Sequence, residues 1–145
     1  MTKEGFAEQF EECYKKISVF DLNNNELFAI LIKYLSDRYP YLHKGELSSF
    51  LVALIEYEMN NKEYYFVTDD NKMKKVVSTI FDDDLFTSKI NHKPLKFNMT
   101  GTVGLLKRLY QRNILTKKDV EKVIGDLENS TFYITSKLIK YLKDC

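Results

Sequence analysis

The sequence predicts an α/β fold with a mainly parallel sheet, on three observations. Short β-rich runs alternate with segments whose apolar residues recur at helical spacing. Two of these runs pass straight into helices, at Thr68-Asp69-Asp70 and at Thr100-Gly101-Thr102. No apolar stretch approaches the ~20 residues needed to span a bilayer, so the apolar residues must be buried within the chain. At 145 residues the sequence is expected to form one domain over 1–145, large enough for a real core.

Taken in order, residues 4–16 read as a short helix with a narrow stripe of Phe6, Phe10 and Cys13, Tyr14 beside them. Ile17-Ser18-Val19-Phe20 reads as a strand. Asp21 to Asn25 form a turn, because Asp and Asn side chains satisfy nearby backbone groups. Glu26–Asp37 is the next helix, with Leu27, Ile30, Leu31, Tyr34 and Leu35 on one face, stopping ahead of Pro40. A third helix opens at Glu46 and buries Leu47, Phe50, Leu51, Leu54 and Ile55. Tyr64-Tyr65-Phe66-Val67-Thr68 reads as a buried strand. Met73, Val76, Val77 and Ile80 then fall on one face of a helix. Leu95, Phe97 and Met99 alternate with polar residues as a strand, followed by helices through Leu105–Tyr110 and Val120–Leu127. Thr116 and Asp119 stand at the spacing of a capping box. Phe132-Tyr133-Ile134 leads to a last helix with Leu138, Ile139 and Leu142 inward.

Composition excludes several chemistries. With 22 basic and 21 acidic residues, no global field draws the chain to nucleic acid or to an anionic membrane. Two histidines and two cysteines leave no zinc spacing, and no Ser-His-Asp or Cys-His arrangement can be built. Cys13 and Cys145 stand near opposite ends, and no export signal opens the sequence, so a reducing, cytoplasmic setting is expected. Asp82-Asp83-Asp84 lacks the interleaving and central glycine of a calcium loop and reads as solvated. Thr100 to Gly104 lacks the lysine of a P-loop, and its glycines read as close backbone approach at a tight turn.

The residues that carry chemistry are therefore carboxylates at helix starts. Asp69 and Asp70 lie where a strand ends and a helix begins, the place where ligands bind in α/β sheets. Two readings of Asp70 stand side by side. It is either an N-cap for the following helix, or a ligand to metal or phosphate. Glu46 likewise either complements the helix dipole at the start of its helix or joins a site. Lys72, Lys74 and Lys75 on one helix, and Lys107, Arg108 and Arg112 on another, offer phosphate contacts without sequence readout, or are plain solvated faces.

Gly45-Glu46, an apolar helix, a strand ending in Thr68-Asp69-Asp70, a Met/Val helix and then Thr100-Gly101-Thr102-Val103-Gly104-Leu105-Leu106 together resemble the PIN domain. PIN domains are metal-dependent ribonucleases, many of them VapC-type toxins of toxin–antitoxin pairs. The resemblance runs from about Ile17 to Lys143. It implies a three-layer α/β/α fold and a carboxylate cluster holding Mg²⁺ or Mn²⁺ for RNA cleavage. By position, Glu46 and Asp70 match two of its acids, with Asp69 able to share the role of Asp70. Thr102 and Gly101 would stand beside the metal or phosphate, and Lys72, Lys75, Thr102 and Arg108 would meet RNA.

The strand followed by Asp with which such domains begin is missing. Asp21 after Ile17–Phe20 imitates it but stands closer to Glu46 than the family usually allows, so it reads as a turn or N-cap residue in preference to a first acid. The chain is thus expected to start near the middle of the family pattern, as an N-terminally truncated domain with one side of its sheet uncovered. That implies an antitoxin-like partner or a homodimer. Two functions follow from the resemblance: a PIN-type ribonuclease, or a degenerate, non-catalytic binding module. No membrane partner and no DNA sequence readout are expected. A plain interaction protein whose carboxylates only cap helices is the third alternative.

Overall fold

Helices dominate, and among the described residues the sheet is reduced to two short parallel strands. The structure is a computed structural model that describes residues 3–94, 97–131 and 136–144. The expected three-layer α/β/α architecture with a mainly parallel sheet is not formed. What remains of it is one β-helix-β unit. β1 (Phe66–Val67) and β2 (Met99–Thr100) pair in parallel, Phe66 opposite Met99 and Val67 opposite Thr100.

The correction has a physical reason. Strand propensity describes how a side chain suits a pleated, half-buried surface, and it acts only where a neighbouring strand exists. Among the described residues Ile17–Phe20 has no partner strand. It lies outside helix and sheet, with Ile17 and Val19 exposed. Of the predicted strand Tyr64–Thr68, only Phe66 and Val67 are in the ladder. The side chains of Phe6, Phe10, Leu138 and Leu142, the Leu95 end of the second predicted strand, and Phe132–Ile134 lie outside the described residues.

The helices follow the sequence closely. α1 (Lys3–Tyr14) leads into this irregular segment, with Ile17 N donating to Tyr14 O at 3.0 Å. α2 (Glu26–Arg38) is capped by Asn25, whose side chain accepts from Phe28 N at 2.9 Å, and ends at Tyr39 ahead of Pro40. α3 (Lys44–Asn60) ends at Asn61, which takes the left-handed conformation (φ 50°) that asparagine tolerates. α4 (Asn71–Thr79) continues as a 3₁₀ turn over Ile80–Asp82 and then a one-turn helix, α5 (Asp84–Thr87). α6 (Thr102–Gln111), α7 (Lys117–Glu128) and α8 (Ser136–Lys143) complete the chain. The capping box at α7 is present in both directions between Thr116 and Asp119.

Two apolar clusters organise these elements. The larger joins Leu31 and Leu35 of α2, Phe50 and Leu54 of α3, Phe66 of β1, Met73 and Val77 of α4, and Phe86 of α5. Phe50 is its hub, edge-on to Phe66, Phe81 and Phe97. The smaller centres on Val103, Val120 and Ile124, joining α6, α7 and α8. β1 and the start of α6 lie where the two meet. Among the described residues no helix is long and apolar enough to cross a membrane.

Candidate functional site

Three segments converge at the carboxyl end of β1: Thr68–Asp70, the first turn of α3 with Glu46, and the first turn of α6. Thr68 is a buried polar side chain. Its hydroxyl donates to Glu46 Oε1 at 3.0 Å and accepts from Asp70 N at 3.2 Å. One hydroxyl thus ties the start of α3 to the strand-to-helix turn. Asp70 Oδ1 accepts from Met73 N at 2.8 Å, so the cap reading of Asp70 is realised.

Asp69 turns the other way. It accepts from Thr102 N at 3.0 Å and from the Thr102 hydroxyl, and Lys74 Nζ stands 4.0 Å from its Oδ1. Gly101 makes this possible. A Cβ there would lie 2.6 Å from Asp69 Oδ1, so only a glycine lets the carboxylate reach the start of α6. The close-approach reading of this glycine therefore fits its surroundings.

Glu46 and Asp70 are brought to one threonine, whereas Asp69 is engaged by α6. Glu46 differs from its neighbours in one respect: its Oε2 is buried and has no hydrogen-bond partner. An unsatisfied buried carboxylate oxygen is costly and marks a place where a donor or cation would be welcome. The rest of the donor set does not fit a divalent ion. Among the described residues no three His, Cys, Asp or Glu side chains are grouped to hold a metal. Asp70 serves its helix and Asp69 serves Thr102 and Lys74.

The basic residues are placed differently from a shared phosphate track. Arg108 lies over the Tyr65 ring, 4.9 Å from its centroid, with a nitrogen 3.3 Å from the Tyr65 hydroxyl. Lys72 sits 5.9 Å over the Tyr41 ring. Lys75 is exposed on α4, and Thr102 is bound to Asp69.

Sequence reasoning missed the opposite edge of β1. Phe66 N donates to Asn98 O (2.9 Å) and Thr68 N to Thr100 O (3.0 Å), so both face β2. Val67, between them, directs its own N–H and C=O to the other edge, where no further strand stands among the described residues. Tyr64, Tyr65 and Val67 are 40%, 44% and 41% exposed there. Beside them a cleft of about 230 Å³ opens toward Val52 and Ala53 of α3, with no charged residue in its lining. The sequence carries no signal for it, since Tyr64 to Val67 are all apolar or aromatic and show no alternation with polar residues.

Within the Asp82–Asp84 run, Asp82 and Asp84 are exposed as expected, but Asp83 is not simply solvated. Asp83 Oδ2 accepts from Tyr34 OH (2.8 Å) and pairs with Arg38 Nε (3.2 Å), while Oδ1 accepts from Leu85 N and Phe86 N to cap α5. The Tyr34 hydroxyl, with those backbone N–H groups and Arg38, holds the Asp83 carboxyl below the usual range. Burial and Asp83 together push the Tyr34 phenol up. At the end of α3, Glu58 accepts from Asn91 N (2.6 Å) and His92 N (2.8 Å). Burial works to raise the Glu58 carboxyl, but these N–H groups outweigh it and the net shift is downward. Both are fastenings between helices and loops.

Compared with family models, with characterised proteins and with solved structures, the chain matches none.

Proposed function

We propose that this chain is a non-catalytic binding module that takes an extended segment of a partner protein, or of a second copy, along the open edge of β1. The observation that carries the reading is the outward N–H and C=O of Val67 beside an uncharged cleft. Such an edge offers main-chain hydrogen bonds for affinity and a side-chain surface for selection. The carboxylates that a catalytic centre would need are instead largely spent on internal bonds. An antitoxin-like protein is the partner class that the resemblance to PIN domains implies.

The test is a titration of a labelled, neutral strand peptide of alternating valine and threonine, read by fluorescence anisotropy. Val67→Pro removes the outward N–H without touching the bonds of Phe66 and Thr68 to β2. Saturable binding that Val67→Pro abolishes supports the reading. Equal binding by both chains, or none up to millimolar peptide, removes it.

A second reading, RNA cleavage with Mg²⁺ or Mn²⁺ through Glu46, Asp70 and Asp69, is favoured by one observation, the unpartnered Glu46 Oε2. Because the chain's own donors do not group around an ion, this reading needs ligands from a partner. Calorimetric titration of the purified chain with Mn²⁺ decides it. Saturable binding lost in the double variant Glu46→Ala/Asp70→Ala supports it, and absence of binding up to millimolar metal removes this chain as a self-sufficient nuclease.

A further inference from the structure

Gly104 sets how α6 lies against the sheet. A Cβ there would strike the Thr100 hydroxyl, so the glycine lets α6 run close to the end of β2. Arg108 follows one turn later on the same side of the helix. Its guanidinium reaches over Tyr65, 4.9 Å from the ring centroid, and Nη1 donates to the Tyr65 hydroxyl at 3.3 Å. The rest of this exposed guanidinium is unused. Among the described residues no ion pair involves Arg108, and no second acceptor takes its N–H groups.

The open edge of β1 has two unlike sides. Phe66 and Thr68 are buried while Tyr65 and Val67 are exposed, so side chains alternate between the core and the solvent. Toward α3 lies the uncharged cleft with Ser49, Val52 and Ala53. On the solvent side lies the guanidinium over Tyr65. A strand added at Val67 meets both. Its residue opposite Val67 faces solvent, the neighbours of that residue face α3, and the residue two places along faces solvent beside Tyr65.

We infer that the segment taken up at this edge is an acidic strand of a different protein. It has small apolar side chains toward α3 and a carboxylate beside Tyr65, held by Arg108. The planar fork of an arginine matches a carboxylate, and the Tyr65 ring beneath fixes the plane of that fork. A carboxylate on the other side would enter a cleft with no charge to meet it, and would be refused. β1 itself presents only Tyr65 and Val67 to solvent, so the same strand of a second copy brings no acid to Arg108. This selection rests on the edge-binding reading above and adds to it the chemistry of the partner.

The experiment is fluorescence anisotropy with the alternating valine–threonine peptide and three derivatives. Two carry glutamate or glutamine in place of the central threonine, and the third carries glutamate in place of a central valine. A repeating peptide slides by two residues without turning over, so the glutamate at a threonine site is free to settle beside Tyr65. The expected result is about fivefold tighter binding of glutamate than of glutamine at the threonine site. That ratio should fall to about one in Arg108→Gln, and glutamate at the valine site should bind more weakly than the neutral parent. Peptides that bind with a ratio near one in the unaltered chain, or with a ratio that survives Arg108→Gln, overturn the inference and leave edge binding standing. No binding by any of the four removes edge binding and this selection with it. Sedimentation of the free chain closes the remaining route. Self-association that Val67→Pro abolishes would give the edge to a second copy and overturn the partner named here.

Discussion

The Asp83 corner and the outer edge of β1 lie on the same core but are finished to different degrees. At the corner, Tyr34 and Arg38 of α2 and the first N–H groups of α5 all converge on one carboxylate, above a fully buried Phe86. Its carboxylate oxygens are all bonded. At the edge, the backbone of Val67 points outward and Tyr64, Tyr65 and Val67 are left half in water. The difference teaches where substitutions act. A finished region loses stability when altered, and an unfinished one loses an interaction that has yet to be made.

The largest expected effect lies at the hub of the finished region. Phe50→Ala should cost about 3–5 kcal/mol, because it removes a fully buried ring that touches three others. Urea unfolding followed by circular dichroism measures this, and a loss below about 1 kcal/mol would break the comparison. Next comes Glu58→Ala, which frees the N–H groups of Asn91 and His92 and should cost ~2 kcal/mol.

The carboxyls of Glu58 and Asp83 also predict a pH dependence. Folding lowers both pKa values. Their contribution is therefore complete above the ordinary carboxylate range, near pH ~4, and is lost as pH falls through their lowered values. Thermal unfolding between neutral and acid pH should show this decline, and the double variant Glu58→Gln/Asp83→Asn should flatten it.

A smaller effect is expected at the junction between the two regions. Gly101→Ala must push Asp69 away from Thr102 and should cost about 1–3 kcal/mol in the same urea measurement. The smallest effect sharpens the comparison most. Val67→Pro should leave stability within about 1 kcal/mol, since edge strands tolerate proline where the N–H faces outward, while abolishing uptake of the strand peptide.

Much of this was legible from local pattern. The apolar periodicity placed α2, α3 and α4, and the spacing of Thr116 and Asp119 predicted their mutual cap. The helix start at Asp70 was legible as a cap, but the bond from Thr68 to Glu46, 22 residues away, was not. The sheet was not legible, because β-rich runs such as Ile17–Phe20 say nothing about whether a neighbouring strand is present. Asp83 was read as solvated because its main partner, Tyr34, is 49 residues away in sequence. Nor could spacing reveal that one oxygen of Glu46 is buried alone, since that depends on how Thr68 and α3 pack in three dimensions.

The most direct test of the open edge is amide hydrogen exchange across β1 with the strand peptide bound. The account predicts that the Val67 amide slows sharply on saturation. Phe66 and Thr68, already bonded to Asn98 and Thr100, should not change. A Val67 amide that exchanges as fast in the saturated chain as in the free one would contradict it.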